Sequence, residues 1–131
     1  MPILRMKLIL KVSLQDHRDW FFLFGDNELR QGYGGQAAVM RGEPNAIGII
    51  TKKFPSMQPA AFYTDTDLMR WEQVNAKAFA KIESHLQHEG FIVIPTAGLG
   101  TGRARLFAKA PGIAKTLKTI ISKWEEDFPC Q

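Results

Sequence analysis

The chain has 131 residues, of which 45% are hydrophobic and 23% are charged. This is the composition of an ordinary globular protein and excludes a disordered or fibrous one. The 17 Lys and Arg against 13 Asp and Glu leave a formal charge of +4, too small an excess to indicate a nucleic-acid-binding protein by itself. The length predicts a single domain, residues 1–131.

Neither a membrane nor a secretory pattern stands out in the sequence. No apolar run approaches the roughly 20 residues that cross a bilayer. The first basic residues, Arg5, Lys7 and Lys11, are spread among apolar residues rather than grouped ahead of them as in a signal peptide. We therefore expect a cytoplasmic protein without a membrane partner.

Cysteine and histidine show no metal-binding or disulfide pattern. Cys130 is the only cysteine, so no internal disulfide is expected. His85 and His88 lie three residues apart on a predicted helix, but no third ligand accompanies them. We expect neither a metal site nor a cofactor.

Apolar patterning predicts four strands. Residues 3–12 alternate between apolar and mostly basic side chains, which is typical of an edge strand with one wet face. Residues 20–24, 46–51 and 91–95 are continuous apolar runs and indicate buried strands. The run 20–24 is expected to stop at Gly25-Asp26-Asn27.

Three helices are predicted between these strands, over residues 36–41, 65–88 and 110–126. The longest has Thr64 and Asp67 at capping-box spacing, and Gly90 ends it. Residues 52–63 contain two prolines and are expected to be irregular. Alternating strands and helices predict a three-layer α/β/α sandwich with a mostly parallel sheet.

Two glycine-rich loops follow buried strands, and we expect them to form one ligand site. The first glycine loop is Gly32-Tyr33-Gly34-Gly35 and the second is Gly98-Leu99-Gly100-Thr101-Gly102. Ligands of open α/β sheets bind beyond the carboxyl ends of the strands. Glycine lets backbone N–H groups approach a ligand closely, and successive amides make a concave anion site. The loops therefore predict a phosphate-containing nucleotide ligand.

The segment Asp26-Asn27-Glu28-Leu29-Arg30-Gln31-Gly32-Tyr33-Gly34-Gly35-Gln36-Ala37 resembles the first ligand loop of macro domains. Ile94-Pro95-Thr96-Ala97-Gly98-Leu99-Gly100-Thr101-Gly102 is similar to the second ligand loop of that family. The two segments also match the ligand loops of macro domains in their order and spacing along the chain. The usual Asn-Ala-Ala-Asn is here Phe24-Gly25-Asp26-Asn27. The resemblance implies a macro domain-like fold in a compact, divergent branch of phage or bacterial origin.

Macro domains bind ADP-ribose, and some remove it from modified proteins or nucleic acids. The resemblance implies that Asn27 contacts the distal ribose and that the second glycine loop wraps the diphosphate. The candidate catalytic residues are Asn27 and Asp26; Asp26 acts either as a general base or as a cap of the turn. The candidate ligand-binding residues are Gly32, Gly34, Gly35, Gln36, Gly98, Leu99, Gly100, Thr101, Gly102 and Arg103.

Other side chains have both a functional and a structural interpretation. Lys52 ends a predicted strand at the expected site and is a phosphate contact or a catalytic group, but the adjacent Lys53 favours a solvent-facing pair. Tyr33 and the pair Phe62-Tyr63 stack on a base or pack in the core. The resemblance leaves open whether ADP-ribosyl linkages are hydrolysed, by an ADP-ribosyl glycohydrolase activity, or only bound.

Two other functions stay open on the sequence. Residues 91–123 contain no Asp or Glu but six Lys and Arg, from Arg103 to Lys123, which form either a solvated helix face or a surface that binds nucleic acid or another partner. The third alternative is a phosphoribohydrolase acting on a nucleoside monophosphate.

Overall fold

The computed structural model describes residues 2–128, so Cys130 lies outside the described residues. Its sheet has four strands in the order β1-β4-β2-β3, and every neighbouring pair is parallel. The strands are β1 (Ile3–Met6), β2 (Phe21–Asn27), β3 (Ala46–Lys52) and β4 (Ile92–Pro95). Because all pairs are parallel, the carboxyl ends of the strands share one edge of the sheet.

Helices connect the strands. They are α1 (Lys11–Asp16), α2 (Ala37–Met40), α3 (Leu68–Gln87), α4 (Leu106–Lys109) and α5 (Pro111–Asp127). Two short 3-10 turns, Pro59–Ala61 and Asp65–Asp67, precede α3. Thr64 N donates to Asp67 Oδ2 over 2.9 Å, which confirms the predicted capping box.

The helices cover both faces of the sheet. α3 and α5 pack on one face through a buried cluster that includes Trp71 and Leu117. α1 and α2 cover the other face, where Leu14 and Met40 lie in a second cluster. The predicted three-layer α/β/α sandwich with a parallel sheet is therefore confirmed. No helix in residues 2–128 combines the length and apolar character needed to cross a membrane.

The predicted strand over residues 3–12 is wrong beyond Met6. β1 pairs only with β4, and their register runs from Ile3↔Ile92 to Met6↔Pro95. Since β4 ends at Pro95, the backbone after Met6 has no neighbouring strand to pair with. Val12 lies in α1 instead. The apolar–basic alternation had indicated an edge strand, and β1 is indeed an edge of the sheet.

The predicted end of the second strand is also wrong. β2 continues through Gly25, Asp26 and Asn27, because β3 pairs with it up to Asn27↔Lys52. The register shifts between Asp26 and Asn27, an irregularity that changes the direction in which a side chain points. The polar residues that sequence reasoning assigned to a turn are thus held in the sheet.

Helix α3 satisfies the free edge of β3 through side chains. Asn75, which is fully buried, accepts a hydrogen bond from Ile50 N over 2.7 Å and donates to Ile50 O over 3.1 Å. Trp71 Nε1 also donates to Ile50 O, over 2.8 Å. An edge strand presents unpaired backbone groups, and these contacts pair them while fixing α3 on the sheet.

We predict that Asn75→Ala lowers the free energy of unfolding by about 2–3 kcal/mol, because it leaves the buried amide and carbonyl of Ile50 without this partner. Gln73→Ala, an exposed change on the same helix, is the control and should stay within about 0.5 kcal/mol of the parent. Urea unfolding of both variants measures the difference. Equal losses in the two variants would contradict the role assigned to Asn75.

Candidate functional site

A crevice opens at the carboxyl edge of the sheet between β2 and β4. The chain leaves β2 toward α2, on one face of the sheet, and leaves β4 toward α4 and α5, on the opposite face. Adjacent parallel strands whose connections depart to opposite faces create the crevice in which open α/β proteins bind their ligands. The topology therefore makes this edge the candidate site.

The crevice has a volume of about 440 Å³, within the range of small-molecule sites. Both glycine loops line it. The predicted site residues that it brings together are Asp26, Asn27, Gly32, Gly34, Gly35, Gln36, Gly98, Gly100, Thr101, Gly102 and Arg103. Leu99 does not line the crevice, because its side chain packs into the core on the α3–α5 face.

Asp26 is the buried centre of one crevice wall. Arg41 donates to both carboxylate oxygens, with Nη2 to Oδ1 at 2.6 Å and Nη1 to Oδ2 at 3.2 Å. Arg30 Nη1 lies 3.6 Å from Oδ2, and Asn27 N donates to Oδ1 over 2.8 Å. The carboxylate is thus neutralised by a bidentate arginine, the strongest geometry for such a pair.

Arg41 also holds the first glycine loop. Its Nε donates to Gly32 O over 2.7 Å, and its Nη2 donates to Gln31 O over 3.2 Å. One guanidinium therefore connects the sheet, through Asp26, to the backbone of the loop. These bonds use carbonyl groups of the loop and leave its N–H groups unoccupied.

A glycine on the neighbouring strand makes room for this carboxylate. A Cβ placed on Gly48 would lie 2.6 Å from Asp26 Oδ2 and 2.8 Å from Asp26 Cβ. Real Cβ atoms do not approach other atoms so closely, so any side chain at position 48 would displace Asp26. Gly48 is therefore part of the support of the site, although it does not line the crevice.

The Asn27 side chain is engaged with the chain that follows it. Its Nδ2 donates to Gln31 O over 2.7 Å, and its Oδ1 accepts from Leu29 N over 3.1 Å. This is the local side-chain to backbone bonding by which asparagine shapes turns. Nδ2 keeps one N–H and Oδ1 keeps one lone pair for other partners.

The second glycine loop takes its shape from left-handed backbone. Gly98 has φ +93° and Gly100 has φ +75°, a region that glycine adopts readily and other residues avoid. A Cβ on Gly100 would lie 3.0 Å from Leu106 Cβ and 3.2 Å from Thr51 Cγ2. A side chain at position 100 would consequently disturb the packing beneath the loop.

Most backbone N–H groups of the two loops lack acceptors, although Gly98 N donates to Pro95 O over 2.8 Å. Within residues 2–128, the N–H groups of residues 32–36 and 100–103 donate no hydrogen bond. The loops are instead held by carbonyls, as where Leu106 N donates to Gly100 O over 2.9 Å and Arg105 N donates to Gly102 O over 3.1 Å. Runs of unpaired amides are suited to binding an anion.

Lys52 lines the crevice at the end of β3. The residue is only 8% exposed, its Nζ lies 3.5 Å from Met57 Sδ and it stands 5.0 Å from the centre of the Phe62 ring. Burial, followed by the positive charges of Arg103 and Arg105, lowers the pKa of Lys52 from its ordinary value. The Lys52 ammonium therefore carries its positive charge in surroundings that solvate it poorly.

A polar network ties this edge of the sheet to α3. Glu28 accepts hydrogen bonds from the buried Tyr63 hydroxyl and from Arg70 Nη2, the latter over 2.9 Å. Partial burial acts to raise the pKa of Glu28, but the bonds from Arg70 and Tyr63 and the charges of Arg70 and Lys53 outweigh it and lower that pKa. Burial raises the pKa of Tyr63, and Glu28 raises it further. Tyr63 is thus a structural residue and not a base-stacking one.

The histidines serve structural contacts away from the crevice. His85 stacks on Phe21 with ring centres 3.8 Å apart, and His88 Nδ1 lies 2.7 Å from Ser84 O. In the part of the chain that the structure describes, no group of three or more His, Cys, Asp or Glu side chains is placed to hold a metal ion.

A family model covers most of the chain. The model of a family of unknown function (DUF7831) matches residues 4–120. The chain belongs to this family. No curated protein and no solved structure is significantly similar to it. The matched range of DUF7831 includes both glycine loops, β2, β3, β4 and all of β1 except Ile3.

Several crevice residues of this DUF7831 chain were not predicted from its sequence. Arg41, Gly25, Thr51 and Met57 line the crevice and were not site candidates. A Cβ on Gly25 would lie 3.2 Å from Thr51 Oγ1 and 3.5 Å from Gly100 N. This glycine therefore lets β2 lie close to Thr51 on β3 and to the second glycine loop. Asp26 was the sequence signal that could have revealed a residue such as Arg41, because a carboxylate in an apolar strand requires a cationic partner.

We predict that Arg41→Met lowers the free energy of unfolding by about 3 kcal/mol, because it leaves the buried Asp26 carboxylate without its main partner. The control is Arg5→Met, which removes an exposed ion pair with Glu125 of 3.3 Å and should change stability by less than about 1 kcal/mol. Urea unfolding compares the two. Asp26→Asn added to Arg41→Met should restore part of the loss, and a further loss in that double variant would contradict the assignment.

Proposed function

We propose that this crevice binds ADP-ribose or a related nucleotide diphosphate. The observation that carries the proposal is the pair of glycine loops facing each other across one crevice, with unpaired N–H groups in residues 32–36 and 100–103. A diphosphate presents many acceptor oxygens and no donors, which complements such a surface. The similarity of the same two loops to those of macro domains supports this ligand over other anions.

The charge of the crevice supports an anionic ligand. Asp26 is the sole carboxylate among the described lining residues, and Arg41 and Arg30 neutralise it. The other charged lining residues are Lys52 and Arg103, both positive. The diphosphate of ADP-ribose carries two negative charges and would balance them.

Side chains near the first glycine loop suit the sugar and the base. Tyr33 is 70% exposed, and an exposed aromatic ring at a crevice can stack on a base. Gln36 Oε1 is buried and accepts no hydrogen bond from the described residues; buried polar atoms normally have a partner. A ribose hydroxyl or an amino group of the base would supply one.

The contacts favour binding over hydrolysis. A general base must be free to take a proton, whereas the Asp26 carboxylate accepts bonds from Arg41 and Asn27. Asn27 is likewise engaged with its own loop. We assign Asp26 the role of an anchor for the first glycine loop and Asn27 the role of shaping the turn and offering one N–H to a ribose oxygen.

Calorimetry with ADP-ribose, AMP and NAD tests the proposal, and we expect ADP-ribose to bind most tightly. Absence of heat and of any thermal shift with all three ligands would overturn it. Assays on ADP-ribosylated protein and DNA separate a binder from a glycohydrolase. Release of free base from AMP would identify a phosphoribohydrolase instead.

We predict that Gly102→Asp weakens ADP-ribose binding by at least about tenfold, because it places a carboxylate beside the diphosphate. A Cβ at position 102 meets nothing within 4 Å, so the fold tolerates the change. Gly102→Asn, of the same size but uncharged, is the matched control and should lose much less affinity. Equal affinities of the two variants would contradict a diphosphate at the second glycine loop.

A further inference from the structure

Two adjacent lysines at the end of β3 have opposite surroundings. Lys53 Nζ forms an ion pair with Asp67 at 3.2 Å and belongs to the network around Tyr63. Lys52 points to the crevice, and within residues 2–128 no carboxylate forms an ion pair with it. The chain thus keeps one lysine neutralised and leaves its neighbour uncompensated.

An uncompensated buried charge is unfavourable unless something else balances it. The partners of the Lys52 ammonium are a thioether and an aromatic ring, Met57 and Phe62, which replace little of its hydration. Lysines are seldom this buried without a partner. Stability alone would favour an apolar residue here, so the charge at position 52 points to a ligand.

Arg103 brings a second positive charge to the same crevice. It follows the second glycine loop directly and lines the crevice together with Lys52. A Cβ placed on Gly34 would lie 3.3 Å from Arg103 Nη1, so the guanidinium reaches across to the first glycine loop. Two like charges that line one crevice repel each other, and an anion bound between them would offset that repulsion.

We propose that Lys52 and Arg103 form a phosphate subsite in the crevice, with Lys52 as the buried counter-ion. This deepens and rests on the proposed function, because it places the diphosphate between Lys52 and the second glycine loop. The ribose then lies toward the first glycine loop and Asn27. The subsite takes a phosphate or diphosphate group and contributes nothing to binding of a neutral nucleoside.

Calorimetry with ADP-ribose and with inorganic pyrophosphate, on the full chain and on Lys52→Met, tests the subsite. Lys52→Met should lower the affinity for both ligands by at least about tenfold. It should also raise the thermal midpoint of the free protein, because it removes an unpaired buried charge. Lys53→Met is the matched control: it should keep both affinities within about twofold and lower the midpoint, since it breaks the pair with Asp67.

The pH dependence of ADP-ribose binding gives a readout that a structural role would not change. Lys52 binds phosphate only when protonated, so affinity should fall as the pH rises through its lowered pKa. Lys52→Arg should remove that fall. The charged groups around Lys52 are Arg103 and Arg105, which follow the second glycine loop, Lys109 on α4 across the Phe62 ring, and the paired Asp26 on β2.

The outcomes distinguish the two proposals. If ADP-ribose binds and Lys52→Met does not weaken it, or weakens it no more than Lys53→Met does, the subsite is overturned and the proposed function stands. If only pyrophosphate binds and depends on Lys52, the subsite stands and the nucleotide assignment fails. If neither ligand binds the parent protein, both are overturned.

Discussion

The bidentate contact between Asp26 and Arg41 is the interaction on which the site depends. A carboxylate inside a parallel sheet is tolerated only when its charge is compensated and its oxygens are bonded. Arg41 provides this from the position that follows α2, and Gly48 leaves the space that the carboxylate fills. The same guanidinium then extends to the carbonyls of Gln31 and Gly32, so the first glycine loop takes its position from the core of the sheet.

Both glycine loops are anchored in a way that keeps their donors available. A loop that must present N–H groups to a ligand cannot use them for its own folding, so it has to be held through its carbonyls. Arg41 holds Gly32 O, and the amides of Leu106 and Arg105 hold Gly100 O and Gly102 O. The first loop is held by the long Arg41 side chain and the second by amides of residues that follow it, and both contain left-handed glycines, such as Gly32 with φ +92° and Gly100 with φ +75°.

Much of the fold could be predicted from local patterns. The runs 46–51 and 91–95, the capping box at Thr64 and Asp67, and the alternation of strands with helices led to the correct layers. The two wrong strand ends depend on pairing between strands that are distant in the sequence, which a local pattern does not contain. Residues 7–10 carry a strand pattern but have no neighbouring strand beyond Pro95, whereas Gly25, Asp26 and Asn27 have a turn composition but are paired with β3.

The site could be predicted as two loops but not as a set of contacts. Glycine spacing locates unpaired amides, because backbone conformation is a local property. The partner of Asp26 lies fifteen residues away, and nothing local distinguishes Arg41 from another surface arginine. Lys52 and Lys53 are chemically identical in the sequence, yet Lys53 pairs with Asp67 and Lys52 lines the crevice. Lys52 is the last residue of β3 and pairs with Asn27 of β2, whereas Lys53 N donates to Ala61 O over 2.8 Å. The place where β3 stops pairing therefore decides which lysine faces the crevice, and no local pattern in the sequence marks that place.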